Sequence, residues 1–304
     1  MSFVSALFAI ASLFAPWFPL SDAPGAYVSS GMVRADRVRT QSVVPVAPRK
    51  VDVASLGPRI SGQSAIVVDA GSGAILYEKD ANAVRPVASI AKLATALVFL
   101  DSEPNLGERL TMAADDDREG GEEFIRPGES ATGRDFLVAS LLGSANNATI
   151  TLARSVNQDL DAFVAAMNDR AKSLGMRRTV FTESSGLDPQ NTSTARDLVR
   201  LLAEAGKREA ITGIIGTHRD EIRVFPQGAS KTVLTTNHLL GTMVFVEYGK
   251  TGHLDESGFN LATAVTTRDG HTLYIVTLGS ATNEDRVQDA KSLAVWAQNT
   301  YQWE

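Results

Sequence analysis

The chain has 304 residues, with 29 Lys and Arg against 35 Asp and Glu and a formal net charge of -6 at pH 7. That length supports a substantial core, and the hydrophobic (44%) and charged (21%) shares are those of a globular protein. The acidic balance gives no global reason to expect nucleic acid as a partner, and the absence of cysteine excludes disulfides, thiolate metal sites and a cysteine nucleophile.

Residues 3–18, FVSALFAIASLFAPWF, form an apolar run broken by Pro16 and followed by the small residues of SDAPGAY. Residues 1–26 are read as a signal peptide with cleavage near Gly25 or Ala26, or as an anchor in the inner membrane. Either reading places the protein outside the cytoplasm, in the periplasm or its equivalent. The charges sit badly with both. No Lys or Arg precedes the run, while Arg34, Arg37, Arg39, Arg49 and Lys50 follow it. Residues 27–60 mix Val, Pro, Arg, Ser and Gly without a period and read as a linker.

Folded sequence is expected over 61–304. SAIVVDA and AILYEK are β-rich runs separated by GSG, a hairpin signal. After Pro86 the pattern turns helical to about residue 206. Thr132 and Asp135 have capping-box spacing before FLVASLL, and LDAFVAAMNDRAKSLGM has helical spacing ending at Gly175. Strands return at MVFVEY, FNLATAVTT and TLYIVTLG, the last two joined by a tight RDGH turn. An amphipathic helix from about Glu284 to Tyr301 completes the chain. The order predicts an α/β fold: an antiparallel sheet of about five strands, flanked by helices, with an all-helical subdomain inserted.

Some patterns are decoys. GGEEF at Gly120–Phe124 matches the signature of diguanylate cyclases, but it lies in the acidic run ADDDREGGEEF, read as a solvated loop. GKT at Gly249–Thr251 ends like a phosphate loop, yet Val244 stands where that motif needs glycine, and strand rather than helix follows. The four histidines, His218, His238, His253 and His271, have no metal-ligand spacing.

One helix start carries chemistry. ASIAKL puts Ser89 one turn before Lys92, ahead of an otherwise apolar helix. Ser89 would make an acceptable N-cap, but a capping box wants an acid three residues on, and Lys92 has the wrong charge. A lysine buried there finds a partner, reaches solvent or sheds its proton. A neutral lysine beside a serine is a base beside a nucleophile. Two further patterns follow in order: Ser144-Ala145-Asn146 between two predicted helices, and Lys250-Thr251-Gly252 on a returning strand. Alone, each reads as a turn or a strand end. The set S-x-x-K, S-x-N, K-T-G belongs to penicillin-binding proteins and class A β-lactamases.

Over 61–304 the chain resembles the low-molecular-mass penicillin-binding proteins of the serine D-Ala-D-Ala carboxypeptidase type. The likeness extends through RPVASIAKLATALVFLD, MNDRAKSLGMRRTVFTESSGLDPQNTSTARDLVRLL and GKTGHLDESGFNLATAV. The resemblance implies a DD-peptidase/β-lactamase-like fold, peptidoglycan stem peptides as substrate, acylation by β-lactam antibiotics, and no metal or cofactor. It casts Ser89 as nucleophile, Lys92 as base, and Ser144 with Lys250 as the proton relay. Asn146 would hold a substrate amide and orient Lys92. Thr251 and Lys250 would meet the substrate carboxylate, with Gly252, His253 and Arg286 also binding substrate. The backbone N–H groups of Ser89 and His253 would hold the oxyanion.

The family's S-G-N-D appears here as Ser144-Ala145-Asn146-Asn147, one carboxylate short. The chain stops at YQWE and is similar in extent to the D-Ala-meso-diaminopimelate endopeptidases, which share all these residues. Carboxypeptidase action is the first expectation and endopeptidase action the alternative. A β-lactamase would need E-x-x-L-N; only Glu183 in ESSGL stands in that region. A non-catalytic muropeptide-binding protein would be expected to lack a motif residue, and none is missing.

Overall fold

The protein is described by a computed structural model covering residues 46–304 apart from residue 119. The apolar run and residues 27–45 of the linker lie outside the described residues. In chain order come β1 (Arg49–Lys50), β2 (Ser64–Asp69), β3 (Ile75–Lys79), β4 (Arg85–Pro86), α1 (Lys92–Asp101), β5 (Arg109–Thr111) and β6 (Ser130–Thr132). The helical block continues with α2 (Gly133–Leu141), α3 (Asn146–Val156), α4 (Leu160–Ser173), β7 (Thr192–Ser193), α5 (Ala195–Ala205) and α6 (Glu209–Ile215). The chain closes with β8 (Arg219–Val224), β9 (Ala229–Leu234), β10 (Phe245–Leu254), β11 (Gly258–Thr266), β12 (Thr272–Ser280), α7 (Asn283–Thr300) and β13 (Tyr301–Gln302).

The expected sheet is present. Its five strands run β10-β11-β12-β2-β3, all antiparallel, so strands from both halves of the sequence meet at β12 and β2. Strand alternation sorts its side chains into two cores. Ala65, Val67, Leu261, Leu273 and Ile275 pack with Leu293 and Ala297 of α7. Ile66, Val68, Ala262, Ala264 and Val276 face the other way, into the core that holds Ile90, Leu93 and Leu97. Both faces are covered, which is why all six residues of β2 are buried. Thr132 and Asp135 form the expected capping box on α2, and α4 ends before Gly175 at φ +74°.

Three expectations are corrected. Residues 49–60, assigned to the linker, are part of the fold. Arg49 and Lys50 pair with Gln302 and Tyr301, and Trp296 Nε1 donates to Ser55 Oγ at 2.7 Å. The stretch from Pro86 to residue 206 is not all helical, because β4 pairs with β7 and β5 with β6. An unforeseen hairpin, β8–β9, follows the helices. Its alternation buries Ile222, Val224 and Val233.

The acidic run is also more than a solvated loop. Asp116 is 1% exposed and takes two bonds from Arg154, at 2.7 Å each, and one each from Thr151 Oγ1 and Ala113 N. Burial works against its charged form, but the bonds from Arg154, Ala113 and Thr151 outweigh it and hold the carboxyl below its ordinary range. Asp116→Ala leaves Arg154 facing a void, and we expect a loss of about 3 kcal/mol in urea unfolding at pH 7. The wild-type advantage is full above the ordinary carboxylate range and fades as pH falls through the depressed pKa.

Candidate active site

Ser89 sits in a 3₁₀ turn, Ala88–Ala91, that runs directly into α1. It is not the helix cap: Ala91 holds that position, with no side-chain bond. Ala88 takes φ +50°, an unusual backbone for alanine, which presents Ser89 half-exposed at the rim of a cleft of about 620 Å³.

Lys92 lies fully buried beneath Ser89. Its Nζ is 2.9 Å from Ser89 Oγ, 2.7 Å from Asn146 Oδ1 and 2.5 Å from the Ser185 carbonyl oxygen. Loss of hydration lowers its pKa to about 7, and the negative charge of Glu183 opposes only part of that fall. Geometry then fixes the direction of the lone pair. A neutral amine has two N–H groups and one lone pair, while the Asn146 and Ser185 oxygens can only accept. Those two take the N–H groups. The lone pair is left facing the Ser89 hydroxyl.

The other two motifs close the cleft. Ser144, at φ +61°, lies on the link between α2 and α3, and its Oγ accepts from Lys250 Nζ at 3.0 Å. Ser144 therefore bonds to Lys250, and the third partner of Lys92 is a backbone carbonyl that motif reading does not see. Lys250 is 1% exposed, and burial, then repulsion from Lys92 and Arg286, holds its pKa well below the usual lysine value. Asn146 is the first residue of α3, not its cap, and donates from Nδ2 to Gly120 O at 2.8 Å. This draws the GGEEF stretch onto the cleft as a loop; no strand forms there.

Strand β10 is an edge strand and lays Thr251, Gly252 and His253 along one wall, with Lys250 buried behind them. A β-carbon on Gly252 would stand 2.7 Å from Val87 O and 3.1 Å from Ser89 N, so only glycine lets the strand come this close to the serine turn. Thr251 Oγ1 is 2.6 Å from Thr236 Oγ1, a neighbour the motif reading missed. Arg286 Nη1 donates to Gly252 O at 3.1 Å, and burial lowers its pKa to about 10. His253 is exposed and stacks on Phe259, with ring centroids 4.0 Å apart. All nine residues singled out in the sequence thus meet in one place, seven lining the cleft and the two lysines beneath it.

The fold and this arrangement, with a lysine amine 2.9 Å from the serine oxygen, define a serine hydrolase of the DD-peptidase class. The chain matches the model of the family described as Peptidase S11, D-alanyl-D-alanine carboxypeptidase, over residues 51–282. It is 32% identical over 262 residues to the D-alanyl-D-alanine endopeptidase of Escherichia coli, covering 83% of this chain and 84% of that protein. It is 27% identical to a D-alanyl-D-alanine carboxypeptidase of Bacillus subtilis, over 79% of this chain and 63% of that one. The crystal structure of a D-alanyl-D-alanine carboxypeptidase from Mycobacterium tuberculosis superposes with a TM-score of 0.74 at 29% identity, covering 84% of this chain and 95% of that one. The protein belongs to the peptidase S11 family.

Proposed function

We propose that this chain cleaves the bond after the penultimate D-alanine of peptidoglycan stem peptides through an acyl-enzyme on Ser89. The observation that carries the reading is the Lys92 amine held between Ser89 Oγ, Asn146 Oδ1 and the Ser185 carbonyl. Ser89 Oγ attacks the carbonyl carbon and its proton passes to Lys92. The oxyanion is held by the backbone N–H groups of Ser89 and His253, at the approach that Gly252 permits. When the C–N bond breaks, the proton held by Lys92 is relayed through the Ser144 hydroxyl, backed by Lys250, to the departing amine, which returns Lys92 to its neutral form. Asn146 holds a substrate amide. Thr251, Lys250 and Arg286 meet the carboxylate of the leaving residue. Water, deprotonated by Lys92, then releases the acyl group and restores Ser89.

Penicillin would acylate the same oxygen and lodge there. A location outside the cytoplasm, set by residues 1–26 as signal or inner-membrane anchor, follows from the substrate.

Two leaving groups fit this chemistry: free D-alanine, giving a carboxypeptidase, or the D-centre of a diamino acid in a cross-link, giving an endopeptidase. The endopeptidase reading is supported by the 32% identity over 262 residues to an endopeptidase, and the carboxypeptidase reading by the superposition along 95% of the Mycobacterium tuberculosis carboxypeptidase. Mass spectrometry of muropeptides separates them: loss of terminal D-alanine from pentapeptides, or conversion of cross-linked dimers to monomers. We expect fluorescent penicillin to label the wild type and not Ser89→Ala. Labelling of both, or an unchanged muropeptide profile, would refute the proposal. Rapid turnover of a chromogenic β-lactam would point to a β-lactamase instead.

A further inference from the structure

Glu183 does not line the cleft. It borders a separate cavity of about 390 Å³ on the other side of the turn that runs from Ser184 to Asp188. Its carboxylate is surrounded by donors from that turn. Oε2 accepts from Ser185 N and Ser185 Oγ, both at 2.6 Å. Oε1 accepts from Gly186 N, from Asn191 Nδ2 at 2.6 Å and from Asp188 N at 3.4 Å. With both oxygens engaged, this acid is not set up as a water-activating base. The donors it gathers shape the backbone opposite. Ser185 O accepts from Lys92, and Ser184 O accepts from Thr95 Oγ1 at 2.6 Å.

We propose that Glu183 is a positioning residue for the Ser89 chemistry: its carboxylate clamps the 183–188 turn so that the Ser185 carbonyl holds one N–H of Lys92 and leaves the lone pair on Ser89. The inference rests on the reading of Lys92 as the base. It adds a residue that touches neither substrate nor nucleophile.

The clamp has an electrostatic side. From the 3₁₀ turn ahead of α1 Lys92 faces the Ser89 hydroxyl, from α3 the Asn146 amide and from the 183–188 turn the Ser185 carbonyl. The charged groups that act on it are the Glu183 carboxylate and, through mutual repulsion, the Lys250 amine on β10, which in turn faces Arg286 on α7. Glu183 is the anion that favours the protonated lysine. Removing its charge should let the lysine lose its proton more readily, whereas opening the turn to water would restore an ordinary lysine.

The test is the pH profile of penicillin acylation for wild type, Glu183→Gln and Glu183→Asp. In Glu183→Gln one acceptor oxygen becomes an N–H₂ facing N–H donors, and the charge is gone. We expect the acid limb to move down by about half a pH unit, with the plateau rate about tenfold lower. Glu183→Asp keeps the charge but shortens the reach, so its plateau should fall while the limb stays in place. An unchanged plateau would overturn the proposal, whereas a lowered plateau with a limb that moves up would show the turn opened to water by loss of the clamp. Should Glu183→Gln fail to fold, the Glu183→Asp profile decides: a wild-type plateau overturns the clamp, a lowered plateau at an unmoved limb supports it. Absence of wild-type acylation would instead refute the proposed function itself.

Discussion

Lys92→Met is expected to abolish acylation of Ser89 by penicillin while leaving a folded protein. Methionine fills nearly the same buried volume, so the packing of Ile90, Leu93 and Leu97 around it is kept. What disappears is the lone pair 2.9 Å from Ser89 Oγ, and the remaining serine is an unactivated alcohol. A fall of about a thousandfold in acylation rate matches the loss of a positioned base. In the wild type the rate should rise with pH through about 7, where Lys92 loses its proton. Stopped-flow acylation between pH 5 and 9 measures both; wild-type-like labelling of the variant would remove Lys92 from the mechanism.

Stability supplies a second reading with a definite sign. The unfolded chain keeps this lysine protonated up to about pH 10.4, whereas the folded chain has released the proton above about 7. Between those values the unfolded state binds the extra proton, so rising pH favours the folded wild type. Relative to Lys92→Met, the wild-type melting temperature should therefore climb from pH 7 to pH 10. A difference independent of pH would mean that Lys92 is not held neutral.

Gly186→Ala is expected to damage both fold and site. Gly186 has φ +87°, where an L side chain is strained, and its missing β-carbon would stand 2.2 Å from Ala88 O and 2.8 Å from Ser89 N. Those neighbours are backbone atoms and cannot rotate away. The left-handed conformation costs about 1–2 kcal/mol and the overpacking about 1–3 more, so a loss near 3 kcal/mol is expected in urea unfolding. Relief comes only by lifting the 183–188 turn off the serine turn, which draws the Ser185 carbonyl from Lys92 and slows acylation about a hundredfold. Gly73→Ala is the control. It also has positive φ, +74°, but nothing lies within 4 Å, so only the smaller conformational cost should appear and acylation should be untouched. Equal effects of the two substitutions would refute the contact argument.

Much of this was legible before folding. The β-rich runs SAIVVDA, FNLATAVTT and TLYIVTLG read as strands before any contact is known, and the sheet follows. Ser89, Lys92, Ser144, Asn146, Lys250 and Thr251 were legible because S-x-x-K, S-x-N and K-T-G, met together and in that order, form a known motif set. Thr132 and Asp135 announced α2 because a capping box is local.

What stayed hidden depends on long-range contact. The third partner of Lys92 is a backbone carbonyl 93 residues away, and a carbonyl carries no side-chain identity for a motif to record. The pairing of Ser144 with Lys250 spans 106 residues. Asp116 looks like its acidic neighbours until Arg154 arrives from α3, and residues 49–60 look like a linker until β13 pairs with β1. The sequence alone determined which side chains the candidate site gathers and on which elements they stand. Only the tertiary structure decided which lone pair points at Ser89, because that direction is set by acceptors brought in from two distant segments, α3 and the turn clamped by Glu183.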